Sequence, residues 1–257
     1  MCDCTVGSIS SHFSRQNDLG QPEGQGGVTG TTRRHVLAGL ATGVASLLLL
    51  PRLSMASEKA PGVTPDDALT RLKEGNARFV AGALTHPNLT AARIAETFSG
   101  GQHPFATIIS CSDSRVPVEH VFDQGIGDLF VIRVAGNVAD VDEIGTAEYG
   151  AGHLGTSLVV VMGHTKCGAV TAVLKGDKVG GNIPALVDNI IPAVERAKGK
   201  GLTGDAILLE AIKENVRQSM TDLSGHSEEL AHLIKEGKIK VVGALYHIEN
   251  GQVEWLS

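Results

Sequence analysis

The chain of 257 residues has few of the features that mark nucleic-acid-binding and membrane-spanning proteins. Aromatic residues make up 4% of it, and its formal net charge at pH 7 is −6. A mildly acidic chain without basic blocks or interleaved aromatics argues against a nucleic-acid partner. The apolar stretch at residues 36–50 is too short and too rich in glycine and alanine for a membrane span. Since no internal repeat is present, we expect one domain after the N-terminal segment.

The N-terminal segment has the pattern of an export signal. Arg33 and Arg34 precede the apolar residues 36–50 in a pattern that resembles a twin-arginine signal, and small residues ending at Ala56 follow as in a cleavage site. We therefore predict a leader at residues 1–56, export to the periplasm, and cleavage near Ala56. The only membrane contact would then be through the signal. The alternative is that the segment stays uncleaved as a membrane anchor.

Cysteine is scarce, and its placement points to metal chemistry. Of four cysteines, Cys2 and Cys4 lie in the predicted leader, which leaves Cys111 and Cys167 and nothing for a disulfide. His164 lies three residues before Cys167. Two thiolates and one imidazole make a three-ligand zinc set with one tetrahedral position left for water, whereas a structural zinc is normally closed by four ligands. The pattern predicts a catalytic zinc; the alternative is two core cysteines and a hydrogen-bonded histidine.

Two charged residues follow the first cysteine at intervals of two. At an extended strand end Asp113 faces the same side as Cys111, close enough to bind the metal or to accept a proton from metal-bound water. Arg115, again on that side, is placed to form a bidentate pair with Asp113 that holds the carboxylate ionised. The histidine of the set follows the apolar run 157–162, so it lies where a buried strand ends. In open α/β sheets the carboxyl ends of strands are where sites form.

Runs of valine, isoleucine and leucine separated by helical segments predict a parallel sheet covered on both faces. The predicted strands are residues 105–110, 129–134, 157–162, 239–247 and 252–255. The last two surround Asn250-Gly251, a signal for a type I′ hairpin. A helix is predicted to begin after Thr64 as N-cap, with others at 143–153, 169–174, 183–197, 205–220 and 228–236. We expect an α/β fold at residues 57–257: a central, mostly parallel sheet flanked by helices, with a C-terminal antiparallel hairpin.

The combined pattern resembles the β-class carbonic anhydrases. The motifs that carry the resemblance are Cys-x-Asp-x-Arg at 111–115 and His-x-x-Cys at 164–167. It extends from about Asp66 to the C-terminus and includes Pro-Phe at 104–105 and Arg-Val-Ala-Gly-Asn at 133–137. Since the similarity covers most of the predicted domain, the resemblance concerns the whole fold as well as the site.

The resemblance implies one Zn²⁺ per chain, held by Cys111, His164 and Cys167. Asp113 and Arg115 would form the catalytic dyad. In the open form of the family water is the fourth ligand, and in a closed form the aspartate, here Asp113, takes that place. The implied reaction is the reversible hydration of CO₂ to bicarbonate and a proton by zinc-bound hydroxide, which makes the chain a carbonate dehydratase, a zinc lyase.

The resemblance also implies a substrate pocket and an assembly. Plant-type members line the pocket with a glutamine, a phenylalanine and a tyrosine, and Gln102, Phe130 and Tyr149 stand at the matching places. Gly168 matches a backbone donor to the substrate. The implied assembly is a homodimer or a dimer of dimers, whose N-terminal helices reach across to a second subunit.

Two other functions compete with CO₂ hydration. The same ligand set would serve a hydrolase of CS₂ or COS, because these substrates are also linear. A non-catalytic zinc-binding or interaction module would retain the metal ligands and lose the dyad, yet Asp113 and Arg115 are both present. For the proton carrier, His103 and His120 are the candidates near the motif in sequence.

Overall fold

The apolar runs of the sequence form one five-stranded sheet in a computed structural model that describes residues 62–256. The predicted leader and its cleavage site lie outside the described residues. The strands are β1 (Ala106–Ser110), β2 (Leu129–Arg133), β3 (Leu158–His164), β4 (Lys240–Tyr246) and β5 (Val253–Leu256), in the order β2-β1-β3-β4-β5. Neighbours are parallel except for β5, which runs antiparallel to β4. The predicted mostly parallel sheet with a C-terminal antiparallel pair is confirmed.

Helices flank the sheet. They are α1 (Pro65–Val80), α2 (Ala91–Gly100), α3 (Val118–Val121), α4 (Val141–Glu148), α5 (Gly168–Lys175), α6 (Ile183–Asp188), α7 (Ile191–Lys198), α8 (Gly204–Gly225) and α9 (Glu228–Lys235). A 3₁₀ turn spans Ala135–Asn137 and a π-helical turn spans Tyr149–His153. The predicted N-cap of α1 is confirmed, because the Thr64 hydroxyl accepts a hydrogen bond from the Asp67 amide at 3.2 Å. Within the described residues no helix is long and apolar enough to cross a membrane.

The central strands are buried on both faces, as parallel strands between helices should be. Successive residues point to opposite sides, so Ile108 packs in one cluster with Leu72 of α1, while Ile109 packs in another with Val216 of α8. The register places Ile108 beside Val160. The two helix layers therefore fix the position and direction of β1 and β3, whose carboxyl ends carry the predicted metal-ligating residues.

Two details of the predicted secondary structure are wrong. The single helix at 183–197 is two helices, α6 and α7, because Pro192 lacks an amide hydrogen and its ring clashes with the carbonyl four residues earlier. The turn at Asn250 is not type I′, since that turn needs a positive φ at both central residues and only Gly251 has one. Instead, six residues connect β4 and β5, and the side chain of Asn76 donates to the Gly251 carbonyl at 2.9 Å.

The remaining differences concern helix ends and short helices. The segment predicted as a helix over 143–153 is α4 followed by the π-helical turn, and α4 begins two residues earlier. Asp140 caps it in a capping box with Glu143. Helices α2 and α3 were not predicted, and α2 has no buried residue at all. The apolar residues of α2 do recur at helical spacing, at Ala91, Ile94, Ala95 and Phe98, so its pattern was available in the sequence.

Candidate metal centre and active site

Two neighbouring parallel strands bring the predicted metal-ligating residues together. Cys111 directly follows β1, and His164 is the last residue of β3, which pairs with β1. Cys167 lies at the N-cap position of α5, one short turn after His164. The side chains of these three residues (the metal set) are buried, and their ligand atoms lie within 4.8 Å of one another. The structure therefore assembles the three residues that the sequence selected.

The geometry of the metal set fits a tetrahedral zinc. Zn–S bonds of about 2.3 Å and Zn–N bonds of about 2.0 Å place the ligand atoms of one ion roughly 3.5–3.8 Å apart. His164 donates its Nδ1 hydrogen to the Thr165 carbonyl at 2.9 Å, which leaves Nε2 as the ligand nitrogen. That Nε2 is buried and has no hydrogen-bond partner among the described residues. A buried ring nitrogen beside two sulfur atoms is the arrangement that a metal would complete.

The sulfur atoms of Cys111 and Cys167 are in contact, and each changes the pKa of the other. A hydrogen bond from Cys167 lowers the pKa of the Cys111 thiol well below its usual range against the effect of burial, and the hydrogen bond from the Gly136 amide acts in the same direction. The same contact raises the pKa of Cys167. The contact between the two sulfur atoms therefore favours the thiolate form of Cys111, which is the form that binds a metal.

Asp113 and Arg115 form a bidentate ion pair beside the metal set. Arg115 donates from Nε to Oδ1 at 2.9 Å and from Nη2 to Oδ2 at 2.7 Å, and its amide also reaches Oδ1 at 3.0 Å. These bonds hold the pKa of the Asp113 carboxyl well below its usual range despite partial burial. The Oδ2 atom lies 3.8 Å from Nε2 of His164. An ionised acceptor therefore stands at the edge of the metal set, held by three hydrogen bonds.

The backbone around Cys111 is held by residues outside the predicted metal set and dyad. Arg133 donates to the Cys111 carbonyl from Nε at 3.1 Å and from Nη2 at 3.0 Å, and to the Asp113 carbonyl at 2.7 Å. The Gly136 amide donates to the Cys111 sulfur at 3.3 Å. Both belong to the segment 133–137 that carries part of the family resemblance. That motif indicated that the segment matters for the site, but it did not show which atoms Arg133 and Gly136 contact.

Gly168 is the first residue of α5 and directly follows Cys167. Amides of the first helical turn have no partner within the helix, so a donor is available next to the metal set. The open space around Gly168, where an added Cβ would meet nothing within 4 Å, leaves room for a small molecule. Its position is compatible with the donor role that the resemblance implies.

The other predicted pocket residues lie at the opposite end of the strands within one chain. Phe130 pairs with Thr107, four residues before Cys111, which corresponds to roughly 13 Å along the strand. Its ring contacts that of Tyr149, with centroids 5.9 Å apart. Gln102 is exposed and precedes β1. The structure thus brings Phe130 and Tyr149 together, but a single chain does not bring these residues to its own metal set.

Solved structures show the same fold. The β-carbonic anhydrase CcaA matches with a TM-score of 0.59 and 29% identity, covering 74% of this chain and 95% of that chain. The β-carbonic anhydrase CafA of Aspergillus fumigatus also gives 0.59 and 29%, covering 75% and 90%. The class defined by fold and site is therefore an α/β protein of the β-carbonic anhydrase type.

Sequence comparison identifies the family. The family model described as carbonic anhydrase matches residues 106–253, which include every residue of the metal set and the dyad. Carbonic anhydrase 2 of Mycobacterium tuberculosis is 37% identical over 196 residues, covering 75% of this chain and 93% of the relative. The chain belongs to the carbonic anhydrase family as a β-class member, and is a lyase of that class.

Proposed function

We propose that this carbonic anhydrase is zinc-dependent, with Cys111, His164 and Cys167 as ligands of one Zn²⁺ per chain. The observation that carries the proposal is a buried set of three ligands beside a fixed, ionised carboxylate. Three protein ligands leave one coordination position for water or substrate, which is the arrangement of catalytic zinc sites. The reaction is the reversible hydration of CO₂ to bicarbonate and a proton.

The chain's own residues orient the reacting molecules and supply negative charge beside the metal set. When bound, Zn²⁺ supplies a Lewis acid, which lowers the pKa of water to about 7 in the carbonic anhydrases that bind zinc through three histidines. Asp113 is ionised and can only accept hydrogen bonds, so it orients the attacking oxygen by accepting a hydrogen bond from it. Arg115 keeps that carboxylate from turning toward the metal set. The Gly168 amide donates to an oxygen of the substrate or product.

Metal analysis tests the ligand assignment. Purified wild-type protein is expected to hold one zinc per chain, and Cys167→Ser is expected to lose it, because a serine hydroxyl is a poor replacement for a thiolate at a soft site. A matched control is Thr171→Ala, one turn further along α5; among residues 62–256 its hydroxyl bonds only the Cys167 carbonyl. Stoichiometric zinc in Cys167→Ser would refute that residue as a ligand.

We also propose that two chains form a homodimer, alone or within a dimer of dimers, in which Gln102, Phe130 and Tyr149 of one subunit complete the site of the other. The proposal is supported by the distance along β1 that separates Phe130 from the metal set of its own chain. Helix α2 supports it further, because Phe98 is 92% exposed and Ile94 is 56% exposed on a helix with no buried residue. Apolar surface of this kind commonly marks a protein interface.

Complementation distinguishes pockets built within a chain from pockets shared between chains. Asp113→Asn and Phe130→Ala are each expected to lose activity when made alone. When they are co-expressed, half of the dimers are mixed and each mixed dimer has one intact site. About a quarter of the wild-type activity should return if the pocket is shared across an isologous interface. No recovery in mixed dimers verified by tag purification would contradict the shared pocket.

We propose, finally, that residues 1–56 are a twin-arginine leader and that the protein is periplasmic after cleavage near Ala56. Arg33, Arg34 and the weakly apolar residues 36–50 support the proposal. Changing both arginines to lysine should trap full-length precursor in the cytoplasm. Unchanged periplasmic mature protein would refute the signal.

A further inference from the structure

Two buried side chains of α8 reach the backbone next to the metal set. Asn215 and Ser219 are one helical turn apart on the same face, and both are at most 2% exposed. Asn215 donates from Nδ2 to the Gly136 carbonyl at 2.7 Å. Ser219 donates from Oγ to the Asn137 carbonyl at 3.0 Å. Helix α8 thus binds two consecutive carbonyls of the 3₁₀ turn at residues 135–137.

Gly136 connects this contact to Cys111. Its carbonyl accepts from Asn215 on one side, and its amide donates to the Cys111 sulfur at 3.3 Å on the other. Its φ of 76° lies in the left-handed region that favours glycine. A Cβ at this position would lie 2.7 Å from the Cδ1 atom of Ile190. The direction of the amide therefore depends on a backbone conformation that Asn215 holds in place.

We propose that Asn215, assisted by Ser219, is a positioning residue that directs the Gly136 amide at the Cys111 thiolate and so tunes this thiolate as a metal ligand. An N–H···S bond withdraws electron density from the sulfur, which makes the thiolate a weaker donor to a metal and fixes its orientation. The inference rests on the proposed function, because it takes Cys111 to be a metal ligand.

A purely structural role for Asn215 makes a different prediction. Satisfying a buried carbonyl contributes to folding stability, and removing the donor costs stability wherever the carbonyl lies. Such a loss changes the melting temperature but leaves the electronic state of the Cys111 sulfur as it was. A spectroscopic property of the sulfur–metal bond therefore separates positioning from simple support.

Cobalt substitution provides that property. Co²⁺ in place of zinc gives a thiolate-to-metal charge-transfer band whose energy depends on the electron density of the sulfur. Asn215→Leu keeps approximate size and removes the donor. We expect its band to move to lower energy than that of the wild type. Its zinc dissociation constant in chelator competition should rise about 10-fold or more, because the lost orientation of the sulfur outweighs its gain in donor strength. Ser219→Ala should shift the band in the same direction by less, because it loses only the neighbouring bond.

Thr221→Ala is the matched control, since Thr221 lies on the same helix and, in the described part of the chain, its hydroxyl bonds only the Arg217 carbonyl. The control should keep the wild-type band and zinc affinity. A folded Asn215→Leu protein with both properties unchanged would overturn the inference. If Asn215→Leu does not fold, an unchanged band in Ser219→Ala overturns it. Wild-type protein that binds neither metal would instead refute the zinc proposal, and this inference with it.

Discussion

Replacing Asp113 by asparagine removes one charge and one acceptor while preserving the shape of the side chain. In the wild type, Oδ1 accepts the Arg115 amide and Nε, and Oδ2 accepts Nη2. The asparagine oxygen can retain the two bonds to Oδ1. Its amino group would then replace Oδ2, where it faces a guanidinium donor and presents a hydrogen to the metal set. The variant therefore loses the acceptor that orients the attacking oxygen.

The expected effect is large for activity and small for metal content. Groups that orient or transfer protons typically contribute about 10²- to 10⁴-fold to a rate, so the CO₂ hydration rate should fall by about that factor. Zinc should remain near one per chain, since no member of the metal set has changed. The assay is stopped-flow CO₂ hydration on protein whose zinc content is measured in the same sample.

The control is Ser114→Ala in the same loop, whose hydroxyl makes no hydrogen bond among the described residues. It should keep the wild-type rate. A zinc-replete Asp113→Asn protein with the wild-type rate would show that the carboxylate takes no part in the reaction, and the reasoning about the dyad would be wrong.

Two further predictions concern buried or paired carboxylates. Arg115→Ala should raise the pKa of Asp113 toward its ordinary value, at which the carboxylate is still ionised at neutral pH, and should free it to enter the metal set. The CO₂ hydration rate should then fall most near pH 6.5. Full activity from about pH 6.5 to 9 would contradict this prediction. Burial raises the pKa of Asp123, but hydrogen bonds from Arg78, Thr85 and His86 outweigh it and hold the pKa well below the usual range. Because its pKa is lower in the folded state, ionised Asp123 stabilises the fold at pH values above the unfolded pKa of about 3.9. Asp123→Asn should therefore lower the free energy of unfolding in urea by about 2 kcal/mol at pH 7 and by less at pH 3. Equal losses at both pH values would contradict the linkage.

The metal set was predictable because its signal is local and periodic. Each ligand lies at or beside the end of an apolar run, and the carboxyl ends of parallel strands meet at one edge of a sheet. The run at Leu158–His164 therefore indicated where His164 would lie before any pairing was known. The ion pair between Asp113 and Arg115 was also predicted, although by alternation along an extended strand end; in the structure β1 ends at Ser110 and the pair lies across a turn.

Contacts that join distant parts of the chain were not predictable in this way. The turn after β4 is shaped by Asn76 of α1, which bonds the Gly251 carbonyl and the Val253 amide. Asn215 reaches Gly136 from a helix whose pattern shows only which face is buried. A buried asparagine has the same sequence signature whether it bonds a ligand loop or any other carbonyl. By contrast, the break at Pro192 follows from local chemistry and could have been predicted.

The most direct test of zinc-dependent CO₂ hydration is stopped-flow kinetics on one preparation of the purified protein in three states: as isolated, stripped by chelation, and reloaded with one equivalent of zinc. The account predicts hydration in the isolated protein, loss on stripping, and recovery in proportion to the zinc restored. The Cys167→Ser protein, treated identically, should recover nothing. Activity that survives stripping, or that fails to return at full zinc occupancy in folded protein, would contradict the zinc-dependent mechanism proposed for this carbonic anhydrase.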